Sequence, residues 1–213
     1  MPLIVFDLDG TLIDSQRDLA DAANALIVER GGAPLAVDAI AGMVGEGAAL
    51  LVGRALRARG LDGEDPTALP RFLELYDERL LAHTRLYAGV RETLGALHPR
   101  VPLAILTNKP QHATDRILEG LDVARFFRWV LGGDTPSGRK PEPDGLRHLM
   151  SEASATAADT IMVGDSAIDL KTARAAGTRI CLARYGFGFR GVDGLLTGDE
   201  MLIDRPERLV DLV

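Results

Sequence analysis

The stretch Leu3-Ile4-Val5-Phe6-Asp7-Leu8-Asp9-Gly10-Thr11 constrains this chain more than any other. Its four leading apolar residues, most of them β-branched or aromatic, predict a short buried strand and not one face of a helix. The run then breaks into two carboxylates spaced i, i+2, followed by a glycine and a hydroxyl. Residues two apart on an extended chain project to the same side. Asp7 and Asp9 are therefore expected together at the carboxyl end of a core strand, where open α/β sheets bind their ligands. Two buried like charges repel unless a cation joins them or a proton is shared. The spacing asks for a cation, a proton-transfer role, or both. A plain polar turn is the alternative, because Asp and Gly are common turn residues.

The rest of the chain divides into a helical stretch and an alternating one. Ser15-Gln16-Arg17-Asp18 has the Ser-x-x-Asp pattern that starts a helix. Leu19, Ala22, Ala23, Leu26 and Ile27 then form one apolar stripe, stopped by Gly31-Gly32. A short helix is expected over 37–43, then a glycine-rich loop, Val44-Gly45-Glu46-Gly47. A third helix carries Leu50, Leu51, Ala55 and Leu56, and a fourth carries Leu69, Phe72, Leu73, Tyr76 and Leu80. After Gly89 strands are expected over 101–106, 126–131, 160–163 and 178–182, with helices opening after Pro110 and Pro143 and over 168–176. Met201-Leu202-Ile203 and a helix over 207–213 end the chain. Alternating strands and helices predict an α/β fold: a doubly wound parallel sheet covered on both faces. The first strand belongs to that sheet, so the expected organisation is an α/β core of residues 1–14 and 86–213 with an all-helical insertion over 15–85.

Each strong polar signal lies at a strand end. Thr107-Asn108-Lys109 follows Ile105-Leu106, Arg139-Lys140-Pro141 precedes a helix, and Gly164-Asp165-Ser166-Ala167-Ile168-Asp169 follows Ile161-Met162-Val163. In a parallel sheet those ends share one edge, so Asp7, Asp9, Thr107, Lys140, Asp165 and Asp169 can converge. Such carboxylates, with no histidine at metal-ligand spacing, suit a hard oxygen-loving cation; Mg²⁺ is the usual choice beside phosphate. A threonine hydroxyl, N–H groups at a helix start and one lysine suit a phosphoryl group. Taken singly, each motif also reads as a helix cap or a surface lysine. Their order and common placement are what that reading leaves out.

Composition narrows the partners. The net charge of −7, from 24 basic and 31 acidic residues, argues against nucleic acid or an anionic membrane as the main partner. No apolar run is long enough to span a bilayer, and no basic segment precedes an apolar one as in a signal peptide. The single cysteine, Cys181, lies in an expected buried strand and cannot form an intrachain disulfide; a reduced, cytoplasmic protein is expected. Nothing in the residues fixes an oligomeric state.

Asp7-Leu8-Asp9-Gly10-Thr11, Thr107-Asn108, Lys140 and the 164–169 stretch resemble the four ordered motifs of the haloacid dehalogenase (HAD) superfamily. The insertion falls where that superfamily places its helical cap. Val44-Gly45-Glu46-Gly47 with Arg54-Ala55-Leu56, Gly132-Gly133-Asp134 through Pro141, and Tyr185-Gly186 are similar to the phosphoglycolate phosphatases within it. The resemblance implies that Asp7 is a nucleophile forming an aspartyl phosphate and that Asp9 is a general acid and base. It implies Mg²⁺ held by the Asp7 carboxylate, the Asp9 carbonyl and Asp165, with Asp169 a further ligand or a partner of the ligands. Thr107, the Asn108 N–H and Lys140 would bind the phosphoryl group, and the Gly45-Glu46-Gly47 loop would meet the rest of a small phosphate ester. The expected substrate is 2-phosphoglycolate. Another small phosphate ester, a β-phosphoglucomutase-like reaction and a non-enzymatic binding module on the same fold are the alternatives.

Overall fold

The computed structural model describes residues 2–137, 139–192 and 194–212. In chain order its strands are β1 (Leu3–Phe6), β2 (Ile13–Asp14), β3 (Arg85–Leu86), β4 (Leu103–Leu106), β5 (Trp129–Leu131), β6 (Thr160–Gly164), β7 (Arg179–Ala183) and β8 (Met201–Ile203). Six of them form one parallel sheet in the order β5-β4-β1-β6-β7-β8, and β2 and β3 make a separate antiparallel ribbon. The uninterrupted apolar run of β1 is explained by its central place. Phe6 lies opposite Ile105 on one side and Val163 on the other. Ile4 and Phe6 enter the apolar cluster on one face of the sheet, Leu3 and Val5 the cluster on the other. Burying each such side chain contributes about 1.5–3 kcal/mol. The chain leaves β1 toward β4 and β5, then returns on the opposite side of β1 with β6. That reversal opens a crevice at the ends of β1 and β6, where Asp7 and Asp165 stand.

The helices are α1 (Gln16–Glu29), α2 (Val37–Ala41), α3 (Ala48–Arg57), α4 (Ala68–Asp77), α5 (Val90–Leu97), α6 (Gln111–Gly120), α7 (Asp144–Glu152) and α8 (Ala167–Ala176). The first four lie between the two strands of the ribbon, as the sequence pattern predicts. Leu19, Ala22, Ala23, Leu26 and Ile27 are the buried stripe of α1. They do not enclose a separate core. One apolar cluster runs from Phe6 and Leu8 through Leu12 and Ile13 to Leu26, Leu56 and Phe72.

Several boundaries differ from expectation for local reasons. β4 begins at Leu103, since Pro102 has no N–H to give the ladder. The expected strand over 126–131 is reduced to Trp129–Leu131, because Ala124–Phe126 closes a 3-10 turn first. The C-terminal helix is a 3-10 helix over Pro206–Leu212; Val213 lies outside the described residues. Helix α5 has an apolar i, i+4, i+7 face, Val90, Leu94 and Leu97, that the strand-centred reading passed over.

Candidate active site

Asp7 leaves β1 with its N–H donating to the Val163 carbonyl at 2.8 Å, which fixes its backbone against β6. Its carboxylate is buried. Lys140 Nζ lies 2.7 Å from Asp7 Oδ1 and 2.6 Å from Asp169 Oδ1. Asp165, at the end of β6, completes the group: oxygens of Asp7, Asp165 and Asp169 lie within 4.8 Å of one another. Three buried carboxylates around one ammonium leave an excess of negative charge. Burial pushes the Asp7 carboxyl up to about 7, with Lys140 opposing and the Asp169 and Asp9 charges adding. Burial likewise holds Asp165 well above the usual carboxylate range, reinforced by Asp169 and Asp7. Burial works against the Lys140 charge, but Asp169 and Asp7 outweigh it and hold the ammonium above the ordinary lysine range. Among the described residues this is the one His, Cys, Asp or Glu group with metal-holding geometry. Its donors are all oxygen, so the residues fit a hard divalent cation.

The two outer carboxylates are held differently. Asp165 Oδ2 accepts the Gly188 N–H at 2.7 Å and its Oδ1 faces the Thr11 hydroxyl at 3.4 Å. A side chain at Gly10, whose φ is +86°, would strike this carboxylate, and so would one at Gly186. Asp169 opens α8 in a capping box. Its Oδ2 accepts from the Ser166 N–H at 3.0 Å and the Ser166 hydroxyl at 2.6 Å, while its other oxygen holds Lys140. Both Asp169 oxygens are therefore engaged.

Asp9 does not join this cluster. Ladder pairing of β1 ends at Phe6, and the chain turns so that the N–H of Gly10 reaches the Ile13 carbonyl at 2.9 Å. The Asp9 carboxylate instead meets Lys109 Nζ at 2.9 and 3.0 Å and accepts the Ser15 hydroxyl. Lys140 thus serves Asp7 and Asp169, and Lys109 serves Asp9.

Thr107 and Asn108 follow β4. The Thr107 N–H reaches the Leu131 carbonyl at 3.0 Å and its hydroxyl accepts the Lys109 N–H at 3.2 Å. The Asn108 side chain ties three segments together. Its Oδ1 accepts the Lys140 N–H at 2.9 Å, and its Nδ2 donates to the carbonyls of Lys140 and Gly45, each at 2.9 Å. Arg139 donates to the Glu46 carbonyl, so the 44–47 loop is latched to the sheet edge at two places. The Glu46 carboxylate points elsewhere, pairing with Arg54 at 2.5 Å. Gly45 and Gly47 have φ of +116° and +84°, which a side chain would strain. Together these parts line a pocket, open at its mouth, with about 40 Å³ of room for a water-sized occupant; Asp7, Asp9, Thr107, Asn108, Gly45 and Gly47 and apolar side chains of the helical segment form its lining.

The family model described as haloacid dehalogenase-like hydrolase matches residues 4–183. The chain belongs to the haloacid dehalogenase-like hydrolases. A phosphoglycolate phosphatase of Rhodospirillum rubrum is 44% identical over 200 residues, covering 90% of this chain and 83% of that protein. One of Photobacterium profundum is 37% identical over 217 residues, covering 99% and 94%. The crystal structure of a predicted phosphoglycolate phosphatase from Haemophilus somnus superposes with a TM-score of 0.91 at 27% identity, covering 100% of this chain and 97% of that one. This hydrolase is accordingly an enzyme acting on phosphoric monoesters. No helix among the described residues is long and apolar enough to cross a membrane.

Of the residues singled out in the sequence, Asp7, Lys140, Asp165 and Asp169 form one cluster. Thr107, Asn108, Asp9, Gly45 and Gly47 line the adjoining pocket, and Glu46 is turned away from it. Sequence reasoning missed Lys109. It was visible in the Thr107-Asn108-Lys109 motif, but one lysine after a strand reads like any surface lysine until its carboxylate is known. Cys181 is buried, and that burial pushes its thiol up to about 12, which makes it an inert core residue.

Proposed function

We propose that this hydrolase is an Mg²⁺-dependent phosphatase that cleaves a short carboxylate-bearing phosphate monoester, 2-phosphoglycolate, through a phosphoryl group carried on Asp7. The observation that carries the reading is the buried cluster of Asp7, Asp165 and Asp169 around Lys140, beside a pocket with a second, separately held aspartate. Asp7 pairs with Lys140 through Oδ1, which orients Oδ2 for attack on phosphorus. Asp9, in its protonated form, gives that proton to the departing alkoxide and regains one from the attacking water, while Ser15 and Lys109 fix its rotamer. The Thr107 hydroxyl, the Asn108 N–H and Lys140 hold the oxygens of the transferring group.

Asp7, Asp165 and the Asp9 carbonyl are the groups proposed to hold the metal. Asp169, with both oxygens engaged, positions Lys140 instead. When bound, Mg²⁺ neutralises negative charge at the phosphoryl group. Residues 15–85 are proposed as a cap whose 44–47 loop closes over the sheet edge and excludes water. A panel of phosphate esters, assayed for released phosphate with Mg²⁺ and with EDTA, tests this. The highest kcat/KM is expected for 2-phosphoglycolate, with activity lost in EDTA. A hexose phosphate turned over faster, or isomerised without phosphate release, would replace the substrate assignment, and full activity in EDTA would remove the metal.

A further inference from the structure

The pocket lining includes a polar group, the Tyr76 hydroxyl, that phosphoryl transfer does not use. Tyr76, on the inner face of α4, is 2% exposed; Lys109 lies within donating reach of its phenol oxygen, and its O–H finds no acceptor among the described residues. Such buried orphans are rare, because an unpaired polar group loses its water and gains nothing in return. Phenylalanine would avoid the loss and keep the packing, since the Tyr76 ring stacks on Phe72 with centroids 5.8 Å apart. Lys109 Nζ lies 4.7 Å from the centre of the same ring. The two oxygens of Asp9 occupy at most two of the three ammonium protons. The third proton faces the phenol oxygen, which leaves the Tyr76 O–H as the unused donor in the pocket lining. Leu19, Leu51 and Phe72 line the same pocket. Burial pushes the phenol up to about 12 against the opposing Lys109 charge, so it remains a neutral donor.

We propose that Tyr76 forms the subsite for the substrate's carboxylate, its hydroxyl donating to that group while Lys109 supplies the adjacent positive charge and holds the phenol oxygen. The inference rests on the phosphatase reading above and adds the residues that separate a carboxylate-bearing ester from a neutral one. In a water-excluded pocket such a donor discriminates strongly, because an uncharged alkyl end leaves it unpaired. The 44–47 loop then closes the wall, with its Gly45 and Glu46 carbonyls held by Asn108 and Arg139.

The test compares 2-phosphoglycolate with ethyl phosphate, which has nearly the same shape and no carboxylate. In the wild-type enzyme 2-phosphoglycolate is expected to have the higher kcat/KM. In Tyr76→Phe that preference should fall about 10- to 100-fold, mainly through KM, as expected for a lost hydrogen bond to a charged group. Melting temperature should hold or rise in the same variant, because the orphan hydroxyl is gone. Lys109→Met should also reduce the preference, with an added loss of kcat on both esters from its contact with Asp9. An unchanged preference in Tyr76→Phe overturns the subsite and leaves the substrate assignment standing. Equal losses on both esters with a lower melting temperature also overturn it, since the hydroxyl would then serve the fold. A wild-type enzyme that cleaves both esters equally well removes the substrate assignment and the subsite together.

Discussion

Among the described residues Lys140 is the ammonium paired with Asp7 and Asp169, and the two sides of that arrangement should respond oppositely to substitution. Removing the cation leaves buried carboxylates facing each other; breaking a buried pair in this way costs about 3–5 kcal/mol. Lys140→Met should therefore lower stability strongly in urea unfolding at pH 8 with EDTA present. Asp7→Asn removes one of the repelling charges. It should leave the urea midpoint equal or higher while turnover drops by about 10³-fold or more, because the lost group is the proposed nucleophile. A destabilised Asp7→Asn protein would show that Asp7 serves packing. At this scale the sequence revealed much: Asp7, Lys140, Asp165 and Asp169 were readable from their strand-end motifs. The partnering was not. Nothing local distinguishes Lys140, which meets Asp7, from Lys109, which meets Asp9, because both pairings span about a hundred residues or more of chain.

The pattern Ser-x-x-Asp occurs before two helices and does different things at each. At Ser166 the backbone is extended, φ −123° and ψ 164°, and the reciprocal capping box with Asp169 forms. At Ser15 the backbone is at φ −112° and ψ 5°, no side-chain cap is made, and the hydroxyl goes to Asp9. Asp18 is also diverted. Its buried carboxylate accepts the His83 N–H at 2.9 Å and the Thr84 N–H and hydroxyl, each at 2.8 Å. The start of α1 is thereby pinned to the chain leaving the helical segment, next to the β2–β3 ribbon. Local pattern cannot tell these cases apart, since the competing partners arrive from elsewhere in the sequence. Ser166→Ala should cost about 1 kcal/mol as a lost cap and also weaken the hold on Asp169. Ser15→Ala should cost the helix little and lower kcat, because Asp9 loses a contact that fixes its rotamer. Asp18→Ala should destabilise by about 1–3 kcal/mol through unpaired buried donors, with faster proteolysis near residues 83–86. A Ser15→Ala enzyme with full kcat would separate that hydroxyl from the proposed acid.

For the molecule as a whole, the sheet order follows from where the polar motifs fall. A strand that is apolar on both faces must be central, and carboxylates at its end must meet those of its neighbours; β1 beside β6 satisfies both. The shared apolar cluster joining sheet and helical segment was not legible, because stripes on separate helices do not reveal what they cover. The convergence of charge at this edge has a consequence for stability. Asp7, pushed up to about 7, and Asp165, also raised, bind protons more readily in the folded chain than in the unfolded one, where a carboxyl titrates near about 4. Their contribution to the metal-free protein is therefore favourable at low pH and is lost as pH rises from about 4 through 7. A divalent cation held by the proposed ligands would reverse that loss, since it would bind the ionised carboxylates and compete with the proton. At a hundred times its dissociation constant it should add about 2.7 kcal/mol, and each kcal/mol is worth about 2–4 °C in a chain of this size. Thermal unfolding at pH 8 should thus rise by about 5–10 °C with saturating Mg²⁺, and the same addition at pH 5.5 should do much less. In Asp165→Asn the pH 8 shift should collapse even though the variant has one fewer repelling charge. An equal shift at both pH values, or one that survives in Asp165→Asn, would place the cation somewhere other than the end of β6.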